Sequence, residues 1–327
     1  MVAGPRSELA QRAQKAGLPL IEVAIGNLSF LNPFKLVQLY RLFRKVSVGS
    51  LILNLPSDVK AAGLAARLAG VQRIIYRRGS ALPIRDTWFN RFLFRYIVDE
   101  IIANSEETKR TILAKNPHLF PEEKIHVIYN GMDLQQFDLR LSRGSDTRPS
   151  GRVVLGHAGR LSSEKNQKFL IDVTRELIKA GLNCCLHIAG TGPLEKALQD
   201  YAVENGLREE VVFLGFQEDV SPFMASIDIF LLSSRWEGFG YVLIEAMAAK
   251  KPVVAFASSS TPEIVENGKT GHLVPPGDLG AFVRRVKELS LDPQQRLVFG
   301  RAGRERVENL FTCQHAFAAL KNLLGLS

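Results

Sequence analysis

Cysteine is nearly absent. The 327 residues hold three, with Cys184 and Cys185 adjacent and Cys313 alone. No even disulfide framework can form, so a reducing, cytoplasmic setting is expected. Long apolar runs are missing as well. No stretch of ~18 uncharged apolar residues occurs, so no membrane-spanning helix is expected. The first residues lack the charged, apolar, small order of a secretory signal. Histidine is sparse, and His126, His157, His187 and His272 sit in or beside apolar runs, where packing is the ordinary role. No His–Cys spacing suits zinc, and no Gly-x-Ser-x-Gly nucleophile elbow appears. Disorder is excluded by the 46% hydrophobic content.

What is present is asymmetric. Residues 1–150 hold 22 Lys and Arg against 13 Asp and Glu, which is the whole net charge of +9. The remainder balances. A basic first half predicts an anionic counterpart there: a phospholipid surface or a phosphorylated acceptor, with nucleic acid disfavoured because no recognised nucleic-acid module is present.

Short apolar runs alternate with amphipathic stretches. The pattern predicts strands at 153–157, 185–189, 211–214, 229–232, 253–256 and 271–274. Helices are expected at 167–180, 193–205, 220–225, 242–249 and 262–267. The first half repeats the scheme, with strands near 20–24, 50–54, 73–76, 100–103 and 124–128. Such alternation implies parallel sheets covered on both faces. The polar segment 140–152 (RLSRGSDTRPSGR) is a linker by composition. It divides an N-terminal domain, 1–145, from a C-terminal one, 146–305. A last helical segment, 306–327, is expected to pack back toward the first domain. At the start, Met1–Pro5 looks like the end of a strand entering a turn, followed at once by a helix over 7–16. The strand and glycine-rich turn that usually open a Rossmann-like half are therefore expected to be incomplete.

Four motifs follow strands. Glu237-Gly-Phe-Gly-Tyr-Val-Leu-Ile-Glu245 runs from a strand into a helix. Its glycines permit close backbone approach, and the helix start favours an anion. Glu237 and Glu245 can each accept hydrogen bonds from hydroxyls at opposite ends of a nucleotide-sugar; the bland alternative is a helix cap and a surface carboxylate. Gly159-Arg160, with Lys165 following, offers a guanidinium fork and a point charge suited to a diphosphate; alone it reads more readily as a solvated loop, and its place at a strand's C-terminal end is what favours a ligand. Gly190-Thr191-Gly192-Pro193 is a tight strand-to-helix turn. It lacks the third glycine of a dinucleotide fingerprint, which disfavours nicotinamide binding. Asn130-Gly-Met-Asp133 is first of all a turn signal.

Taken together, and with Thr261-Pro-Glu263 and Gly271–Asp278, these motifs resemble glycosyltransferase family 4. The resemblance covers nearly the whole chain. It implies the α/β GT-B architecture, two Rossmann-like domains with parallel sheets facing across a cleft. The implied activity is retaining transfer of a sugar from a nucleotide-diphosphate-sugar to a glycan or lipid-linked acceptor, in lipopolysaccharide or cell-envelope polysaccharide synthesis. Neither cofactor nor metal is implied, since Arg, Lys and helix dipoles serve the diphosphate. Glu237, Arg160 and Lys165 would be the catalytic set. Gly159, Gly190, Thr191, Gly192, Phe216, Gln217, Gly238, Phe239, Gly240, Tyr241, Val242, Leu243 and Glu245 would surround the donor. Many members carry a His after the middle strand of the first domain. Here that stretch reads Arg77-Arg78-Gly79-Ser80, which would lie on the acceptor side or be solvated. An inactive nucleotide-sugar binder, or a GT-B epimerase or phosphorylase, remains the alternative. Two basic, aromatic-rich stretches, 30–45 and 85–96, are either core-facing helices with solvated basic faces or contacts to an anionic membrane.

Overall fold

A computed structural model describes residues 2–142 and 151–326. Most of the expected linker lies outside the described residues. Twelve strands are present among them: β1 (Val2–Ala3), β2 (Ile21–Glu22), β3 (Ser50–Leu53), β4 (Arg73–Arg78), β5 (Glu100–Ala103), β6 (Ile125–Val127), β7 (Val153–Ala158), β8 (Cys184–Ala189), β9 (Val211–Gly215), β10 (Ile229–Leu232), β11 (Val253–Phe256) and β12 (Gly271–Val274).

The chain packs as two compact units, residues 1–103 with 109–127, and residues 104–108 with 128–327. In the first, β3-β4-β5-β6 form a four-stranded parallel sheet. β1 and β2 pair separately, and the helix Glu8–Lys15 lies between them in sequence. The Ser7 hydroxyl caps that helix by accepting from the Ala10 N–H. The first-unit core gathers Leu39 and Phe43 from helix Pro33–Val46, Leu93 and Phe94 from helix Trp88–Tyr96, and Ile74 and Ile101 from the sheet.

The second unit holds a six-stranded parallel sheet in the order β12-β11-β10-β7-β8-β9. Successive strand residues enter opposite cores. Val154, Cys185, Phe230, Leu232 and Ala255 join one, and Leu155, Leu186, Leu231, Val254 and Phe256 the other. Both faces are therefore covered, which is why these strands read as continuous apolar runs. Gly156 is required by packing, because a Cβ there would lie 2.5 Å from Ile227.

Two local expectations are corrected. The helix expected over 262–267 stops at Ile264, since Val265 is extended and Asn267 bridges to Gly271. The strand near 20–24 contracts to two exposed residues, Ile21 and Glu22.

Candidate active site

Chain order in the second sheet reverses beside β7. The chain proceeds outward through β8 and β9, then returns to place β10 on the other side of β7. The loops following β7 and β10 consequently diverge, and open α/β sheets bind ligands at such points. The loop after β7 carries Gly159, Arg160 and Lys165, and the loop after β10 carries Glu237 to Gly240.

A cavity of about 440 Å³ opens there. Gly159, Arg160, Gly190, Thr191, Gly192, Phe216 and Gln217 line it, with Ala158, Ala189 and Val220. Seven residues expected near a donor are thus brought together. Arg160 and Phe216 are exposed at its wall. The glycines have a packing reason of their own. A Cβ on Gly190 would sit 2.0 Å from the Gly159 carbonyl oxygen, and one on Gly192 2.3 Å from that of Leu161. Backbone bonds hold the two loops at this separation: the Gly159 N–H donates to the Ala189 carbonyl and the Leu161 N–H to that of Thr191. Both turn and cavity wall therefore depend on glycine.

Lys165 and Glu237 form an ion pair, Nζ to Oε1, at 2.5 Å. Glu237 is buried and Lys165 half-buried. Each loop is braced beneath the pair. The Ser233 hydroxyl donates to the Lys165 and Asn166 carbonyls. The Glu237 carbonyl accepts from the Ser259 and Ser260 hydroxyls. The Lys165 side chain also passes over Gly159, with Cδ 3.9 Å from the position a Cβ would take. The ion pair thus adjoins the cavity.

Gly238, Phe239 and Gly240 continue the loop. The Gly238 carbonyl accepts from the Ser105 hydroxyl at 2.7 Å and that of Thr108 at 3.2 Å. Phe239 is buried, its ring 5.8 Å from Tyr129 and 5.9 Å from Phe311. Gly240 takes φ 73° as the residue before helix Tyr241–Ala248, a left-handed turn that favours glycine. Leu243 is core, its N–H donating to the Gly240 carbonyl; Val242 packs against the same core, and Tyr241 is exposed.

Glu245 is half-buried one turn further on. Burial, and second the Asp219 charge, push its carboxyl up to about 7. Asp219 stands in the turn whose Gln217 and Val220 line the cavity, which places Glu245 near that wall. The proton is held to a higher pH in the folded state than in the unfolded chain. Stability from this group is therefore present at acidic pH and lost as pH climbs from the usual carboxylate range through about 7. The melting temperature of Glu245→Gln, relative to the unaltered protein, should rise between pH 5 and pH 8 and then level off. A difference that stays flat across this range would contradict the burial of the charge.

His157 is fully buried, its Nδ1 3.0 Å from the Leu231 carbonyl. Burial pulls its imidazole down to about 4, so it is neutral at physiological pH. Gln167 connects it to the loop by donating to the Arg160 carbonyl. The Asn130–Asp133 motif serves assembly: the Met132 N–H donates to the Phe311 carbonyl, the Cys313 N–H to that of Met132, and Asp133 caps the next helix. In the first unit, Arg77 and Gly79 are exposed at the end of β4, Ser80 is half-buried and Arg78 is buried.

Several bracing groups were not anticipated. Ser105, Thr108, Ser233, Ser259 and Ser260 carry no sequence signal beyond following strands or preceding helices.

A family model described as "Glycosyl transferases group 1" matches residues 140–306. A second, "Glycosyltransferase Family 4", matches residues 3–136. Among curated proteins, the capsular polysaccharide biosynthesis glycosyltransferase CapM of Staphylococcus aureus is 29% identical over 70% of this chain and 62% of its own length. A UDP-Gal:alpha-D-GlcNAc-diphosphoundecaprenol alpha-1,3-galactosyltransferase of Escherichia coli is 23% identical over 91% of this chain and 80% of its own. The chain thus spans about six-tenths of CapM's length. Among solved structures, Anabaena Alr3699/HepE in complex with UDP and glucose superposes with a TM-score of 0.83 at 22% identity, covering 99% of this chain and 91% of that one. That likeness establishes the fold, which is GT-B.

Proposed function

The chain belongs to the group 1 glycosyl transferases, and we propose on that premise that it transfers a sugar, with retention, from a nucleotide-diphosphate-sugar to a glycan or lipid-linked acceptor of envelope polysaccharide or lipopolysaccharide synthesis. The observation that carries the reading is the cavity at the strand-order reversal, with Arg160 on its wall and the Lys165–Glu237 pair beside it. HepE binds UDP and glucose, which supports UDP as the nucleotide part of the donor proposed here, and the E. coli relative is named for a diphosphate-linked lipid acceptor, which supports a lipid-linked acceptor.

In the proposed reaction the bond between the sugar's anomeric carbon and the diphosphate oxygen breaks. The acceptor hydroxyl oxygen forms the new bond on the same face, and its proton passes to the departing diphosphate. The protein's task is to stabilise the leaving charge and to position the partners. Arg160, Lys165 and the start of helix Tyr241–Ala248 supply positive charge for the diphosphate. Glu237 accepts hydrogen bonds from hydroxyls of the transferred sugar. Glu245 holds the ribose, and Phe216 and Gln217 border the base. This charge inventory needs no metal or cofactor.

The test is nucleotide release from a panel of nucleotide-sugars, with EDTA present and with acceptor extracts added. Acceptor-dependent release of nucleotide diphosphate, undiminished by EDTA, is expected. Conversion of the donor sugar without acceptor would indicate an epimerase, a phosphate requirement a phosphorylase, and binding without release an inactive binder.

We also place the first unit at an anionic membrane surface, as a cytoplasmic, peripheral contact. No helix among the described residues is long and apolar enough to cross a membrane. Phe34 is 85% exposed and Trp88 79%. Lys35, Arg41, Arg44 and Lys45 share helix Pro33–Val46 with Phe34, an arrangement suited to interfacial docking. Co-sedimentation with phosphatidylglycerol vesicles, lost when Phe34 and Trp88 are both changed to Ala, is the expected result; unchanged sedimentation would refute it.

A further inference from the structure

A second cavity, about 330 Å³, lies wholly within the first unit. Three cations line it, Lys60, Arg78 and Arg85, and no carboxylate does. Arg78 is the unusual member. It is only 8% exposed. One terminal nitrogen, Nη2, donates to the Leu82 carbonyl and the other, Nη1, to the Tyr76 hydroxyl at 3.3 Å. Its Nε is buried without a partner. A buried guanidinium facing no carboxylate, with one donor unsatisfied, is costly unless an anion completes it. Two further cations at the same cavity indicate more charge than one carboxylate carries, and match a phosphate or diphosphate.

Val59, Ile84, Leu93 and Phe94 add an apolar part to the same wall, beside the polar Tyr76 and Asn90. The apolar character continues outward from Lys60. Its ammonium lies 5.7 Å from the centre of the Phe30 ring. Phe30 packs on Phe89 at 5.1 Å, and Phe89 on Trp88 at 5.5 Å. Trp88 ends this row largely in solvent. An anion-ready pocket thus abuts a row of aromatic rings, half-buried at Phe30 and Phe89 and exposed at Trp88. Lys60 also belongs to a widened helical turn, Val59–Gly63, with i to i+5 bonding, a form frequent at functional sites.

We propose that this pocket binds the phosphate or diphosphate of an isoprenoid-type lipid carrier, the phosphate oxygens taken by Arg78, Lys60 and Arg85 and the apolar chain laid along Phe30, Phe89 and Trp88. The inference rests on the reading of the chain as a glycosyltransferase with a lipid-linked acceptor, and names what in that acceptor is recognised.

The experiment is calorimetric titration of the full chain with farnesyl diphosphate, farnesol and inorganic pyrophosphate. It is run in an Arg160→Ala, Lys165→Ala background so that the donor cavity does not contribute. Farnesyl diphosphate should bind. Lys60→Gln with Arg85→Gln should weaken it at least about tenfold, the effect of roughly one charge-assisted hydrogen bond. Trp88→Ala should weaken the farnesyl ester and leave pyrophosphate unaffected. Lys60 and Arg85 are not buried, so their variants should fold even if Arg78→Gln does not. Unchanged affinity in the Lys60, Arg85 variant would overturn the proposal. Pyrophosphate binding as tightly as the ester would overturn it too, since the site would then serve a free anion; farnesol binding equally well would overturn the phosphate role. Because donor binding is read separately by UDP titration of the unaltered protein, loss of one reading leaves the other standing.

Discussion

Glu237→Gln is expected to lower kcat by on the order of 10²–10³-fold while leaving the melting temperature nearly unchanged. The side chain keeps its shape, and its loop is held by backbone rather than carboxylate contacts: the Glu237 carbonyl by Ser259 and Ser260, the Gly238 carbonyl by Ser105 and Thr108. What the substitution removes is charge. A carboxylate accepts from sugar hydroxyls with charge-assisted bonds, whereas an amide accepts more weakly and through one oxygen only. It also loosens Lys165, now paired at 2.5 Å. A freed ammonium can turn to the diphosphate, so UDP affinity should hold or improve while turnover falls. That opposite movement is the signature of a sugar contact. Full activity in the variant would remove Glu237 from the reaction. A parallel loss of UDP affinity and melting temperature would make it a structural residue.

Much of the second unit was legible because its strands are buried on both faces. Ile229–Leu232, Val253–Phe256 and Gly271–Val274 stand where their apolar runs suggested, the last interrupted only by His272. The loops following β7, β8 and β10 were legible because Gly, Arg and Glu interrupt those runs at strand ends. The pairing of Lys165 with Glu237 was not. These residues are 72 positions apart and had been assigned separate ligand groups, whereas in the folded chain each is the other's partner. Nor could spacing separate a glycine needed for a ligand from one needed for packing. Gly190 and Gly192 abut neighbouring carbonyls, so their presence alone is explained without a ligand, and the case for a donor rests on the cavity and its charges. Asn130–Asp133 illustrates the same limit: Met132 pairs with the 311–313 segment inside the second unit, and the motif owes its form to that pairing. In the first unit, Arg77 and Arg78 looked equivalent in sequence. β-strand alternation separates them, one outward and one inward, and only the inward one lines a cavity.

Arg160→Ala combined with Lys165→Ala should weaken UDP binding on the order of 10²-fold, with a shallower dependence on salt. The two residues contribute differently, and the single variants show how. Arg160 is exposed at the cavity wall. Its loss should reduce affinity and leave stability nearly alone, because among the described residues its hydrogen bonds within the fold are made by its carbonyl, accepting from Gln167 and Ser162. Lys165 is half-buried against a buried carboxylate. Lys165→Ala strands Glu237 without its cation, at a cost of about 1–3 kcal/mol in stability. That strain falls on the unliganded protein, and a ligand whose hydroxyls donate to Glu237 relieves part of it. In the Lys165 variant a nucleotide-sugar should therefore lose less affinity than UDP does, since only the sugar reaches Glu237. In the Arg160 variant the two ligands should lose affinity equally. Calorimetry with UDP and with the donor found active in the nucleotide-release screen measures both ratios. Equal losses for UDP and donor in the Lys165 variant would separate Glu237 from the transferred sugar, and unchanged UDP affinity in the double variant would move the diphosphate out of this cavity altogether.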